Sequence, residues 1–456
     1  MASKESSERA RDLDTLDCVR TQWNRLSVAV QGSQLQECAD PEFCRKQTRL
    51  ILLLSASRSG ASWFAELCAS STRLCSLPGE IDPFLLLTLG PPDLAVGESD
   101  RLEAYHATPS VSEALSQYLH QFAGNQSFSE DSRLTSLRRF QIAMRTLVQW
   151  PELREQMDGV QVAIREAFGQ TAGLSREERM TLYLLRLKQL LPCVNPYFYD
   201  LDPKLIGKYF PDEPFPTGPP TETTVIEEPP FVCESPWACA LDGGAPDRPL
   251  LLKSPSNAYR LDFLRALFPN AEITALHLMR DPAASVTGLM SGWLHHGFFK
   301  HRIPGGTLHI ERYLQPDQPW TSEWWKFDLP PNWNRYTRCP LEEVCTFQWV
   351  SANEHILRWV KRNTADIHYV QTSLHRLKSD LKGEISRVFS ELGLRPDAGL
   401  LNAVARNRRT MVSYGVSPPI RSELQRLAAS ATDCVRVRNI LDAFADVSPG
   451  LSVEIA

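Results

Sequence analysis

The chain of 456 residues has 43% hydrophobic and 23% charged side chains, which are ordinary proportions for a globular protein with a substantial core. The net charge of −5 excludes a general electrostatic attraction to nucleic acid or anionic membranes. No apolar run approaches the roughly 20 residues of a membrane span, and residues 1–18 contain no signal-peptide core, so we predict a cytoplasmic chain.

The first elements in chain order are a polar arm and a strand. Residues 1–48 are polar apart from a helical pattern at 14–30, and we predict that they form an N-terminal helical arm. The apolar run 50–54 is too short for a helix, which indicates a buried strand of a parallel sheet. Helix-forming residues resume at Trp63. The chain therefore passes from a strand through a turn into a helix.

The turn between this strand and helix has the features of an anion-binding loop. A strand, a turn of small residues and a helix start present free backbone N–H groups to an anion. Arg58 adds a bidentate cation and Gly60 allows a close approach of the backbone. Ser59 and Ser62 add hydroxyl donors. The GxxxxGK[ST] sequence of ATP- and GTP-binding loops is missing, so the turn predicts either an anion site of another kind or an ordinary strand-to-helix turn with a surface arginine.

A candidate carboxylate and a long insertion follow. Glu80 lies in a Pro-Gly turn before an apolar run, which favours a position near the same edge of the sheet. Residues 91–249 contain several stretches with helical spacing of apolar residues, followed by a segment rich in proline. We expect this insertion to form the substrate wall.

Two further strands end in cations. Residues 250–252 predict a short buried strand that ends at Lys253, and residues 273–279 predict another that ends at Arg280. Ligands of open α/β sheets bind at the carboxyl edge of the strands. Together with Arg58, these cations predict an anion pocket assembled from three strand ends.

The segment 294–340 is rich in histidine and tryptophan, which favours either an apolar acceptor pocket or a well-packed insertion. His295 and His296 are candidate bases. Their spacing to His301 has no zinc-site partners, and none of the 11 cysteines forms a CxxC pair, so we predict no metal site. Residues 367–371 predict one more parallel strand.

Three of these segments resemble, in order, the motifs of sulfotransferases that use 3′-phosphoadenosine 5′-phosphosulfate (PAPS), closest to the bacterial and tyrosylprotein-type branches. The family places Ser-Gly-Thr-[ST] after a Lys or Arg, where this chain has residues 58–62. Lys-x-Pro begins here at Lys253, and Arg-Asp-x-x-Ala-Ser-Val begins at Arg280. The resemblance implies an α/β, P-loop-type, three-layer fold with a central parallel sheet and large helical insertions. The sulfotransferase domain would span 49–430, followed by a helical tail at 431–456.

The resemblance also implies roles for individual residues. Lys253 is expected to stabilise transition-state charge together with Arg58, and Glu80 is the expected base, with His295 as an alternative. The residues expected to bind PAPS are Arg58, Ser59, Gly60, Ala61, Ser62, Trp63, Arg280, Ser285, Gly288 and Arg421. Within this set, Trp63 is expected to stack on adenine and Arg280 to bind the 3′ phosphate.

The chain departs from the family pattern at two positions. Ala61 stands where the family has Thr, which removes a hydroxyl but keeps the backbone N–H. The family has a serine eight residues after the 3′-phosphate arginine, whereas this chain has Gly288. Ser285, Thr287 or the backbone is expected to replace that serine. The family's basic C-terminal loop has candidate counterparts in Arg421 and the pair at 408–409.

The implied reaction is in-line transfer of a sulfuryl group from PAPS to a hydroxyl of a small-molecule, lipid or glycan acceptor, without a metal. The product is 3′-phosphoadenosine 5′-phosphate (PAP). Two other classes fit the same residues: a nucleotide kinase relative in which Arg58 replaces the loop lysine, and a catalytically silent PAP-binding module. Binding of PAP or of Mg²⁺-ATP distinguishes them. We expect no nucleic-acid partner, and the residues specify neither the acceptor nor an oligomeric state.

Overall fold

The computed structural model describes residues 2–31, 40–90, 99–126, 135–169, 173–221, 225–229, 237–239, 248–303, 305–407, 436, 439–440 and 442–444. The strands are β1 (Arg49–Leu54), β2 (Cys75–Ser76), β3 (Gly124–Gln126), β4 (Trp237–Cys239), β5 (Leu250–Lys253), β6 (Glu272–Met279), β7 (Phe299–Arg302), β8 (Trp324–Lys326) and β9 (Ile367–Ser373). The helices are α1 (Ala2–Gln31), α2 (Phe43–Lys46), α3 (Ala61–Ala69), α4 (Asp82–Leu89), α5 (Pro109–Phe122), α6 (Ser136–Gln149), α7 (Met157–Phe168), α8 (Arg176–Leu190), α9 (Pro203–Tyr209), α10 (Leu261–Leu267), α11 (Pro282–Trp293), α12 (Leu341–Arg362), α13 (Leu374–Ser379), α14 (Leu381–Glu391) and α15 (Ala398–Asn407).

Seven strands form one sheet in the spatial order β4-β3-β2-β5-β1-β6-β9. The strands β2, β5, β1, β6 and β9 are parallel, and β3 and β4 are added antiparallel at one edge. Parallel neighbours need crossover connections, and helices supply them here. The predicted α/β fold with a central parallel sheet and large helical insertions is confirmed.

The position of β1 inside the sheet explains its unbroken run of apolar residues. In β1, Leu50 and Leu52 pack into one hydrophobic core, while Ile51 and Leu53 pack into the core on the opposite face. Side chains alternate between the faces of a strand, so a strand covered on both faces needs apolar residues at every position. The two cores give the molecule its three layers.

The helical insertion packs on the larger of these cores. Helices α5 to α9 lie between β2 and β5 in the sequence, and α1 packs against α6. Trp23 of α1 is buried against the rings of Phe84, Phe122 and Phe140, and its indole N–H donates to Gln121 at 3.0 Å. Among the described helices, none combines the length and apolar character that a bilayer crossing requires.

A two-stranded antiparallel hairpin, β7 with β8, lies outside the main sheet. Phe299 pairs with Lys326, and His301 pairs with Trp325. The indole rings of Trp293 and Trp325 meet edge to face at 5.1 Å, which anchors the hairpin on α11. The hairpin thereby brings residues 298–300 and 327–328 to the carboxyl edge of the parallel sheet.

Candidate functional site

A cavity of about 440 Å³ opens where β5, β1 and β6 end side by side, a size within the range of small-ligand sites. The residues that line it are Ser55, Ala56, Ser57, Arg58, Ser59, Gly60, Ala61, Ser62, Trp63, Glu80, Asp82, Pro83, Val225, Ile226, Glu227, Glu228, Pro229, Lys253, Pro255, Arg280, Phe298, Phe299, Lys300, Phe327 and Asp328. The three cations predicted at strand ends therefore face one cavity.

The loop between β1 and α3 forms the floor of the cavity. Gly60 precedes α3 with a φ of 90°, and Arg58 also has a left-handed φ of 63°. Such a conformation is rare for a residue with a side chain, and it is held here by packing and hydrogen bonds. The first backbone N–H groups of α3 have no acceptor within the helix. This floor therefore offers N–H donors and the positive end of a helix dipole.

Two guanidinium groups lie together beside this loop. Arg280 Nη1 donates to the backbone carbonyl of Arg58 at 2.8 Å, and the Arg58 guanidinium lies 5.0 Å from the centre of the Phe298 ring. Burial lowers the pKa of both, and the charge of Arg58 further lowers the pKa of Arg280. Neither forms an ion pair with a carboxylate in the described part of the chain. The charges of Asp200 and Asp281 act on Arg58 and Arg280 from beyond ion-pair distance. Two adjacent cations without an ion-pair partner favour an anionic ligand.

The glycine at position 288 allows this pair to approach. A Cβ placed there would lie 3.3 Å from Arg58 Cβ and 3.4 Å from Arg280 Nη1, tighter than ordinary contact. Position 288, where the family pattern has serine, therefore lies beside the two guanidinium groups. No other residue type fits there without a shift of its neighbours.

Lys253, Ser62 and Glu80 form a second polar cluster in the cavity. Lys253 Nζ donates to Ser62 Oγ at 2.8 Å and forms an ion pair with Glu80. The lysine is 8% exposed, while the Glu80 side chain is 20% exposed and keeps access to the cavity. A carboxylate and an ammonium in contact at the end of β5 can accept a proton and neutralise developing charge.

The hairpin supplies an aromatic wall, by which we mean Phe298, Phe299 and Phe327. The rings of Phe298 and Phe327 stack at 4.7 Å, and both residues have a positive φ that is unusual for aromatic side chains. The segment 225–229 faces the same space with an apolar surface and Glu228. The aromatic wall and residues 225–226 thus add apolar surface to a cavity whose lining also contains Glu227, Lys300 and Asp328.

An ionic network lies beside the wall, and two of its members, Asp82 and Lys300, also line the cavity. Lys300 Nζ lies 2.7 Å from Asp82 and donates to Ser256 at 2.8 Å. Burial lowers the pKa of Lys300, but the charges of Asp82 and Asp100 outweigh it and raise that pKa. Arg260 bridges the same two aspartates at 2.9 and 3.2 Å. The network holds α4, α10 and β7 in one arrangement around the cavity.

A smaller network ties the floor to the hairpin. Asp328 accepts hydrogen bonds from Ser57 at 2.5 Å and from Tyr259 at 2.8 Å. Ser57 directly precedes Arg58, so Asp328 fixes the loop at the point where it turns left-handed. Sequence reasoning missed Asp328, Lys300 and Glu228. The adjacent carboxylates at 227–228, placed just before two prolines, were the one local signal for the last of these.

Several predicted residues lie elsewhere. Ser285 is fully buried outside the cavity, and its hydroxyl has no hydrogen-bond partner among the described residues. His295 does not line the cavity, because its ring packs between His296 and Phe298 and its Nδ1 accepts the Gly297 N–H at 3.1 Å. Trp63 lines the cavity and donates to Asn407 at 3.0 Å. Arg421 and the pair at 408–409 lie outside the described residues.

Among the described residues, no group of three or more His, Cys, Asp or Glu side chains is arranged to hold a metal ion. Thr287 hydrogen-bonds within its own helix, through its hydroxyl to the carbonyl of Ala283 at 2.7 Å. Neither this contact nor the burial of Ser285 assigns the residue that replaces the family's serine. The site as described is therefore a cavity of cations, hydroxyls and carboxyl groups.

Comparison with known proteins gives a family match. A family model described as "Sulfotransferase family" matches residues 51–324, more than half of the chain. No curated protein matches the sequence. A sulfotransferase domain from the Synechococcus PCC 7002 olefin synthase is 16% identical, with 88% of this chain and 95% of that chain covered and a TM-score of 0.33. Sulfotransferase STF9 from Mycobacterium avium is 13% identical, with 96% and 85% covered and a TM-score of 0.35.

Proposed function

The chain belongs to the sulfotransferase family, and we propose that it transfers a sulfuryl group from PAPS to a hydroxyl of a small-molecule, lipid or glycan acceptor. The observation that carries the proposal is the convergence of Arg58 and Arg280 on one cavity. In the described part of the chain neither has a carboxylate partner, and both are partly buried. A ligand with phosphate groups at two positions of its ribose fits this arrangement.

The residues present fit such a donor. When bound, PAPS supplies a sulfuryl group on a phosphate that can leave. Arg58, Ser62 and the N-terminal N–H groups of α3 would hold the phosphosulfate end, since all face the floor of the cavity. Arg280 would hold the 3′ phosphate, and Trp63 offers an aromatic surface at the cavity wall.

The chemical step follows from the Lys253 cluster. Glu80 accepts the proton of the acceptor hydroxyl while the new oxygen–sulfur bond forms and the sulfur–oxygen bond to the phosphate breaks. Lys253 neutralises the negative charge that develops on the leaving oxygen. Its hydrogen bond to Ser62 keeps the ammonium at the loop. Water is displaced by the aromatic wall, which strengthens these interactions.

Calorimetric titration with PAP tests this proposal. We expect Arg58→Ala and Arg280→Ala each to weaken PAP binding by about 100-fold, because each removes a charge-assisted contact to a phosphate. Both are expected to abolish turnover of radiolabelled PAPS. Arg265→Ala is the matched control, since Arg265 forms an exposed ion pair with Asp366.

Three outcomes would contradict the proposal. Wild-type PAP affinity in both arginine variants would show that the guanidinium groups do not bind this ligand. Tight Mg²⁺-ATP binding with no PAP binding would favour the kinase class instead. PAP binding without sulfate transfer to any compound of a cell extract would favour the silent binding module.

A further inference from the structure

Glu228 lines the cavity next to the aromatic wall, beside Glu227, which forms a buried ion pair with Arg145 of α6. Glu228 Oε1 accepts the backbone N–H of Phe299 at 3.1 Å, and the N–H of Phe298 also points to this carboxyl group. Within the described residues its hydrogen-bond partners are these backbone donors. The carboxyl group is thereby held by the aromatic wall itself, and no described group accepts a proton from it.

The surroundings of Glu228 disfavour a charge there. Burial raises its pKa to about 8, against the effect of the two backbone N–H groups and of Lys326. Burial likewise lowers the pKa of Lys326 to about 7. That lysine is fully buried, and its Nζ donates to the carbonyl groups of His295 and Gly297. Burial therefore shifts the Glu228 carboxyl group towards its protonated form.

The charged groups around Glu228 come from three elements. Lys326 on β8 favours the ionised form of Glu228, whereas Glu80, before α4, opposes it. Glu80 in turn is paired with Lys253 on β5. Of the five carboxyl groups that line the cavity, Glu80 lies beside a cation and Glu228 lies against the aromatic wall. Such a pair divides the tasks of proton acceptor and hydrogen-bond donor.

We propose that Glu228 determines acceptor specificity by donating a hydrogen bond to a second oxygen of the acceptor, next to the hydroxyl that Glu80 deprotonates. This inference rests on the proposed function. The acceptor class that fits is an uncharged apolar or aryl alcohol with an oxygen acceptor adjacent to its reactive hydroxyl. An amino alcohol does not fit, because its ammonium group would need an ionised carboxylate in the wall.

The first arm of the test uses PAP as the probe and needs no acceptor. Wild-type PAP affinity is expected to fall by about 10-fold between about pH 7 and about pH 9, because Glu228 ionises there and repels the anion. Glu228→Gln and Glu228→Leu are expected to show no more than about a 2-fold change, since neither can ionise. The Glu228 charge raises the pKa of Lys326, so both variants also change the titration of the lysine, and carboxyl ¹³C NMR assigns the titration to Glu228.

Glu323→Gln is the matched control, because Glu323 pairs with Arg302 on the same hairpin at 3.1 Å, away from the cavity wall. It is expected to keep the wild-type pH dependence. An equal pH dependence in wild type and Glu228→Gln would overturn the proposal. If wild type binds no PAP at all, the proposed function fails. Carboxyl ¹³C NMR then decides the state of Glu228 by a resonance that titrates near pH 8 and is lost in Glu228→Gln.

The second arm compares transfer of radiolabelled sulfate to 2-methoxyphenol and to phenol. We expect wild type and Glu228→Gln to prefer 2-methoxyphenol by about 10-fold in kcat/KM, because both can donate a hydrogen bond to its methoxy oxygen. Glu228→Leu is expected to lose this preference. No preference in wild type, or transfer to neither phenol, overturns the proposed acceptor class. A loss in Glu228→Gln equal to that in Glu228→Leu shows that the preference does not come from a donated hydrogen bond, and it overturns the proposal as well.

Discussion

Glu80 and Lys253 show how two neighbouring side chains can have separable tasks. Their ion pair places the carboxylate at the end of β5, where the loop hydroxyl of Ser62 is also held. The arginines that would carry the nucleotide lie on the neighbouring strand ends. Loss of the carboxylate charge should therefore affect chemistry without removing the nucleotide contacts.

We predict that Glu80→Gln lowers kcat by about 100- to 1000-fold, the usual contribution of a general base. PAP affinity should stay within about 2-fold of wild type, because the variant keeps a polar group of the same shape beside Lys253. Steady-state kinetics and calorimetry measure the two effects separately. Glu391→Gln, on the outer face of α14, serves as the control. A collapse of PAP affinity in Glu80→Gln would mean that Glu80 is structural.

Helix α11 and the hairpin approach each other at a glycine. A Cβ added at Gly292 would collide with the ring of Phe327, which stacks on Phe298. The aromatic wall can therefore sit close to α11 because position 292 has no side chain. This contact fixes the distance between helix α11 and the separate two-stranded sheet.

We predict that Gly292→Ala lowers the free energy of unfolding by about 1–3 kcal/mol, because the added methyl group forces the ring to move. Gly207 in α9 is the matched control, since a Cβ there meets nothing within 4 Å. Gly207→Ala should be neutral or stabilising by up to about 1 kcal/mol, through helix propensity. Denaturant unfolding of both variants measures this difference. Equal stability of the two variants would show that the hairpin adjusts freely.

The sheet illustrates how much of the molecule could be predicted from sequence. Strands β1, β5 and β6 are mostly apolar runs, so their positions and the cations at or just after their ends were predictable. The aromatic wall was not, because β7 and β8 are short, and their pairing joins residues more than 20 positions apart. Glu228 reaches the site from a proline-rich connection, and its hydrogen bond with Phe299 joins residues 71 positions apart. Local patterns carry no information about such contacts.

At the scale of the whole molecule, stability at acidic pH depends on a buried histidine in the central sheet. His277 of β6 is fully buried, and its ring nitrogens hydrogen-bond to Asn353 at 3.1 Å and Tyr369 at 3.0 Å. Burial lowers its pKa to about 4, so the folded protein keeps the ring neutral where the unfolded chain would protonate it. Stability contributed by this neutral ring is present above the unfolded pKa of about 6.5. It is lost as pH falls towards 4.

We therefore predict that the free energy of unfolding falls by about 2–3 kcal/mol between about pH 7 and about pH 4 through His277 alone. His277→Asn should show a correspondingly smaller loss over this range, although it is less stable at neutral pH. Replacement of the exposed His309 by Gln should leave the wild-type pH dependence unchanged. Urea unfolding at several pH values measures the slopes. A wild-type slope in His277→Asn would contradict the prediction.

The order of the three neighbouring strand ends has a geometric consequence for the donor. Lys253 ends β5 and Arg280 follows β6, with β1 and its loop between them. Adjacent strands lie about 4.8 Å apart, so the two flanking cations are separated by a span that the backbone ladder, and not side-chain flexibility, sets. Under the proposed function, the spacing of the strands therefore matches the distance between the two ends of the nucleotide. This match disfavours analogues that carry only one of its anionic groups.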